Sequence, residues 1–123
     1  QNKMTFTQMK NREGAYVSPN DKAFQAAAAG ADWKNAPGFY EILTNEPGKD
    51  SWPITGATFI LMHKNQASAE RAQIALKFFD WAYKNGDQMA LDLDYIPMPD
   101  AVVKLVTEHW KKNLKDGSGK AVW

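Results

Sequence analysis

An α/β chain is what this sequence predicts, and three features carry the expectation. Residues 55–63 are rich in Thr, Phe, Ile and Leu, which suits a strand buried on both faces of a mostly parallel sheet. Helix-start signals lie on either side of it, Ser18-Pro19-Asn20 before and Ser68 after. A further helix opens at Pro99.

Taken in order, residues 4–9 alternate enough for a short strand with Met4, Phe6 and Met9 inward. Gly14 marks a turn and Tyr16-Val17 a brief extended piece. Asn20 then caps a helix over residues 21–29, which Gly30 stops. The alanine run at 26–29 permits close backbone approach and is read as packing. A loop over 32–38 delivers residues 39–44 as a short strand or extended link. NEPGKD at 45–50 is a turn-rich polar bridge and the best internal boundary. The strand at 55–63 follows it. Ser68 caps a helix with Glu70 in its first turn, where a carboxylate opposes the positive end of the helix dipole. Ala75, Phe78, Phe79 and Ala82 form the expected buried stripe, and Asn85-Gly86 the end. A helical turn over 88–91 and an extended link to Met98 lead to the last helix, with Val102, Leu105, Val106 and His109 on one face. Residues 116–119 read as a flexible turn, after which Ala121, Val122 and Trp123 return to a surface groove.

Bulk composition excludes more than it assigns. The chain has 123 residues, 15 Lys+Arg against 14 Asp+Glu and a formal charge of +1, with the signs interspersed. No preference for nucleic acid or an acidic membrane follows. The apolar run at 59–62 is far short of the ~20 residues of a membrane span, so no membrane insertion is expected. With no Cys, neither a disulfide framework nor a thiolate metal site exists. The opening QNKMTFTQMK lacks the features of a secretory leader.

The segments SWPITGATFILMHK at 51–64, ALKFFDWAYKNG at 75–86 and LDYIPMPDAVVKLV at 93–106, with the tail KDGSGKAVW at 115–123, carry a resemblance. Together they resemble the C-terminal part of the periplasmic phosphate-binding proteins of phosphate ABC transporters, in constant order from about Phe6 to Trp123. The loop before EILT, at 36–40, looks slightly longer than is usual for that family.

The resemblance implies part of a two-lobe type II periplasmic-binding-protein fold. Residues 1–48 would end the second lobe, and residues 49–123 would complete the first lobe after the hinge crossover. It implies inorganic phosphate as ligand, a transporter permease and the upstream part of the same receptor as partners, and the periplasm as address. Family members exceed twice this length. Their phosphate ligands, including a Ser-Gly-Thr turn preceded by Arg and Asp, have no counterpart here. No phosphate-binding residue is therefore assigned in this segment, and no catalytic residue, metal ligand or cofactor.

Each local candidate has a plainer reading. Asp116-Gly117-Ser118-Gly119 could offer N–H groups to an anion, yet no helix follows it, and a tail turn fits its composition. His63 and His109 lack convergent companion ligands. Asp92 and Asp94 could share a face of extended chain but have no companion base or nucleophile. Ser18, Ser51, Ser68 and Ser118 all fall at turns or caps, without a nucleophile elbow. Trp33, Trp52, Trp81, Trp110 and Trp123 could stack on sugar, but their even spread fits packing. A binding protein is the leading expectation and an independently folding interaction fragment the alternative. An enzyme has no coherent constellation.

Overall fold

Two buried apolar clusters organise the chain in the computed structural model, which describes residues 3–123. Helices contribute to both, and the strands are short, giving a mixed α/β chain. β1 (Met9–Lys10) pairs antiparallel with β2 (Tyr16–Val17). Gly14, at φ 81°, makes the turn, and its N–H donates to the carbonyl of Asn11 at 2.9 Å. α1 (Asp21–Gly30) is capped by Asn20, whose side-chain oxygen accepts from the Ala23 N–H at 3.0 Å. A single 3-10 turn covers Pro37–Phe39.

β3 (Asn65–Gln66) pairs parallel with β4 (Lys115–Asp116), bringing the tail back to the middle of the chain. α2 (Ala69–Asn85) starts at Ser68, which accepts from the Arg71 N–H, and ends at Gly86. α3 (Asp87–Asp92) and α4 (Asp100–Asn113) follow. Lys111 and Lys112 lie in the last turn of α4, where cations suit the negative end of the dipole.

The first cluster joins Ala72 and Leu76 of α2 to Trp110 of α4, and to Leu114 and Val122. The second joins Ala28, Trp33 and Leu43 to Val102, so residues on both sides of the 45–50 bridge share one apolar contact. Trp33 is anchored there by donating from its indole nitrogen to the Ala28 carbonyl at 2.7 Å. That bond satisfies one of the carbonyls a helix end leaves free. Among the described residues no buried side-chain polar atom lacks a partner.

Several expectations are corrected. Only Met9 of the anticipated strand at 4–9 is in a ladder, and Met4 and Phe6 are exposed, because a two-residue hairpin offers no inner face to them. Residues 39–44 form no strand beyond a single bridge from Thr44 to Ile54. The stretch 55–63 is likewise unpaired, and Phe59, Ile60 and Leu61 are exposed, since no neighbouring strand lies beside it among the described residues.

On α2 the fully buried positions are Ala72 and Leu76, not Phe78, which is exposed. Ala75, Phe79 and Ala82 of the expected stripe are half-buried, Phe79 against the first cluster, so Phe78 alone of that stripe faces outward, on a second apolar row that the pattern does not separate from the first. On α4 the buried pair is Val102 and Trp110, while Leu105 lies at the surface. Val122 is in the core at 2% exposure rather than in a surface groove, held by its N–H donating to the Leu114 carbonyl at 3.2 Å.

Candidate ligand face beside residues 55–64

Two cavities flank the unpaired stretch. The larger, about 530 Å³, runs between Thr55–Thr58 and the Ala82, Tyr83 and Gly86 end of α2, with Tyr95 and Met98 closing it. The smaller, about 420 Å³, is walled mainly by Trp33, Phe59, Phe79, Met98 and Trp110, with Lys64 and His109 as its cationic and imidazole groups. Both are mainly apolar, and neither gathers several cationic or amide donors. Burial pushes the Tyr83 phenol up, so it stays protonated at neutral pH.

The weighed residues have structural partners instead. In the tail turn, one carboxylate oxygen of Asp116 accepts from the Ser118 N–H at 2.9 Å, the Ser118 hydroxyl at 2.6 Å and the Lys120 N–H at 3.0 Å. These bonds, with the Ser118 hydroxyl first, hold the Asp116 carboxyl below the usual range. The Ser118 and Lys120 donors are thus taken up by the turn's own carboxylate, and the Gly119 N–H by the Asp116 backbone carbonyl.

His109 packs on Phe39 with ring centroids 5.2 Å apart. Burial, then Lys64 and Lys112, hold its imidazole below the ordinary value, so it is neutral at pH 7. Among the described residues no group of three His, Cys, Asp or Glu side chains could hold a metal. Asp92 accepts from the Gln88 amide at 2.8 Å, whereas Asp94 borders the larger cavity, so the two carboxylates differ in surroundings.

The serines likewise act locally. Ser51 is fully buried and donates to the Pro47 carbonyl at 2.8 Å, Ser18 accepts from the Gln8 amide, and Ser68 caps α2. Trp33, Trp52 and Trp110 are buried, Trp123 stands edge-on to Trp110 at 5.8 Å, and Trp81 is half-exposed.

One residue with no advance signal is prominent. Asn11 is 5% exposed, and its side-chain nitrogen donates to the carbonyls of Gly48, Lys49 and Ser51 at 3.2, 2.8 and 3.2 Å. Its oxygen accepts from the N–H groups of Glu13 and Ala15, both at 3.1 Å. An Asn three residues before a turn glycine was the available hint.

The chain is similar to proteins named phosphate-binding protein PstS. The one from Pasteurella multocida is 42% identical over 123 residues, all of this chain and 36% of the relative. Those from Haemophilus influenzae and Xylella fastidiosa are 43% and 41% identical over 115 residues, 94% of this chain and 34% and 32% of each relative. The chain thus spans about a third of the length of these curated relatives. No family model matches it. The mixed architecture fits part of a lobe of the type II periplasmic-binding-protein fold. With identity of this level along its whole length, the chain belongs to the PstS family of phosphate-binding proteins, as a C-terminal segment.

Proposed function

We propose that this chain is the C-terminal portion of a periplasmic receptor that binds inorganic phosphate and delivers it to an ABC transporter permease. The groups that contact phosphate come from the part upstream. The observation that carries the reading is the match to phosphate-binding proteins over all or nearly all of the chain. In this reading residues 1–48 close the second lobe, the 45–50 bridge is the return crossover, and residues 49–123 complete the first lobe. Hinge closure of two such lobes is what encloses a ligand between them. The chain's work is therefore binding and positioning, not turnover. The periplasmic address rests on the family; separately, among the described residues no helix is long and apolar enough to cross a membrane.

The test is a chimera in which this chain replaces the matched third of the Pasteurella multocida protein. Saturable, equimolar phosphate binding by the chimera is expected. A folded chimera that binds no phosphate contradicts the reading.

A second reading, an independently folding interaction fragment, is favoured by the two clusters and by the satisfied buried polar atoms of the chain on its own. A single sharp thermal transition at every concentration, with no phosphate binding by the chimera, supports it. A broad transition or aggregation counts against it.

A further inference from the structure

Along the sequence positive and negative side chains are interspersed, but the fold gathers one sign where α4 ends. β3 and β4 pair so that the Lys115 N–H donates to the Lys64 carbonyl, and the Asp116 N–H donates to the Lys120 carbonyl, both at 2.8 Å. Lys64, Lys115 and Lys120 therefore stand on neighbouring segments. Lys111 and Lys112 occupy the last turn of α4, which leads directly into β4. After burial, it is Lys64 and Lys112 that hold the His109 imidazole below its ordinary value, which sets both ammonium groups within electrostatic reach of one ring. Lys64, Lys111, Lys112 and Lys120 are exposed, and Lys115 is half-buried.

This corner is short of counter-charge. Its carboxylates are Glu108, 3.7 Å from Lys111, and Asp116, which lies within electrostatic reach of Lys120. One Asp116 oxygen is already held by the Ser118 hydroxyl and by the Ser118 and Lys120 N–H groups. Among the described residues Lys64, Lys112, Lys115 and Lys120 form no ion pair. Glu70 and Arg71, at the start of α2, cancel each other. Five lysines against two carboxylates leave +3 here, while the whole chain carries +1, so the remaining residues stand at −2. The chain is polarised, and a negative surface attracts this corner while repelling the rest.

We propose that the corner formed by Lys64, Lys111, Lys112, Lys115 and Lys120 is an electrostatic docking face for an anionic phospholipid surface, which it meets without insertion. The chemistry favours lipid over an acidic protein. All five cations are lysines, point charges on flexible stems that suit a diffuse field of phosphates, whereas a fixed carboxylate is matched better by the planar fork of Arg. Trp123, half-buried against Trp110 and three residues after Lys120, adds an amphipathic ring of the kind that sits among lipid headgroups. Of the five lysines only Lys64 borders either flanking cavity, so the set presents a face, not a pocket for one small anion. The proposal goes beyond the receptor reading and does not depend on it.

The test is co-sedimentation of the chain with vesicles of equimolar phosphatidylglycerol and phosphatidylcholine, and with vesicles of phosphatidylcholine alone. Binding to the anionic vesicles only is expected, weakening as salt rises from about 0.01 M to about 0.15 M and the Debye length shrinks from about 30 Å to about 8 Å. A lysine close to such a surface strengthens binding about fivefold. The triple variant Lys112→Gln, Lys115→Gln, Lys120→Gln should therefore bind at least about tenfold more weakly. The triple variant Lys10→Gln, Lys22→Gln, Lys49→Gln loses the same net charge from exposed positions outside the corner, and should stay within about threefold of the parent. Surface changes of this kind leave the fold intact, which unchanged circular dichroism checks. The same two variants in the Pasteurella multocida chimera repeat the comparison in a second carrier, where phosphate binding is expected to be unaffected by either. Equal losses in the two variants reduce the effect to net charge and overturn the proposal. So do a parent that ignores anionic vesicles, binding that ignores salt, or capture by polyglutamate without capture by vesicles, which would make the partner an acidic protein.

Discussion

The side-chain nitrogen of Asn11 lies 2.8 Å from the carbonyl oxygen of Lys49, tying the β1–β2 hairpin to the bridge at 45–50. The same nitrogen also reaches the Gly48 and Ser51 carbonyls, and of these residues Asn11 and Ser51 are buried while Gly48 and Lys49 are exposed. Asn11→Ala removes the partner of these carbonyls and of two N–H groups, of which the Ser51 carbonyl is bonded in the most buried setting. Leaving buried polar groups unsatisfied costs about 2–3 kcal/mol here. Urea unfolding checks it, and a variant within about 0.5 kcal/mol of the parent would contradict the role, being no different from an ordinary surface change.

Gly30 tests a neighbouring contact with opposing terms. Replacing a helical Gly by Ala ordinarily stabilises by up to about 1 kcal/mol. At Gly30 an added Cβ would stand 2.5 Å from the Pro47 carbonyl oxygen, which is backbone and has little freedom to move. Overpacking of this kind costs about 1–3 kcal/mol, so the clash should win. Gly30→Ala is expected to melt lower than the parent, and a higher midpoint would show that the bridge yields.

Leu76 and Phe78 separate the two faces of α2. Leu76 is fully buried and Phe78 is 61% exposed. In the isolated chain Leu76→Ala should cost about 3 kcal/mol through the cavity it leaves, and Phe78→Ala less than about 1 kcal/mol. Denaturant midpoints of the two variants give the answer. The reverse order would place the buried row where the sequence pattern put it.

His109 predicts a pH dependence. Its folded-state pKa lies below 6.5, first through burial and then through Lys64 and Lys112. The unfolded chain therefore takes up the proton first as pH falls. Its contribution is present in full above about pH 6.5, declines as pH falls through the lowered folded value, and then levels. Glu46, raised by desolvation and by Glu41, works in the opposite sense at lower pH, since its contribution is lost as pH rises through its folded value. Thermal midpoints of the parent minus those of His109→Gln isolate the histidine. The difference should fall between pH 8 and 5, and a flat difference contradicts it.

How much of this was legible depended on whether the cause was local. Asn20 and Ser68 cap helices through bonds to N–H groups three residues on, and such signals survive in any tertiary setting. Gly86 likewise ends α2 where the sequence places the stop. Residues 55–63 carry strand chemistry, but a ladder needs a neighbour, and composition does not supply one. Leu76 was hidden because Ala72 and Leu76 form one apolar row while Ile74, Phe78 and Trp81 form another, so periodicity finds the helix without choosing its inner face. Asn11 was hidden because its partners are 37 to 40 residues away. The absence of an assigned phosphate ligand came from the resemblance, and the tail turn fits its plainer reading since Asp116 takes up its donors.

The most direct measurement of the central claim is a calorimetric titration of this chain alone with inorganic phosphate. The account predicts no saturable binding, because it assigns the ligand contacts to the upstream part of the receptor. Saturable binding at one phosphate per chain would contradict it.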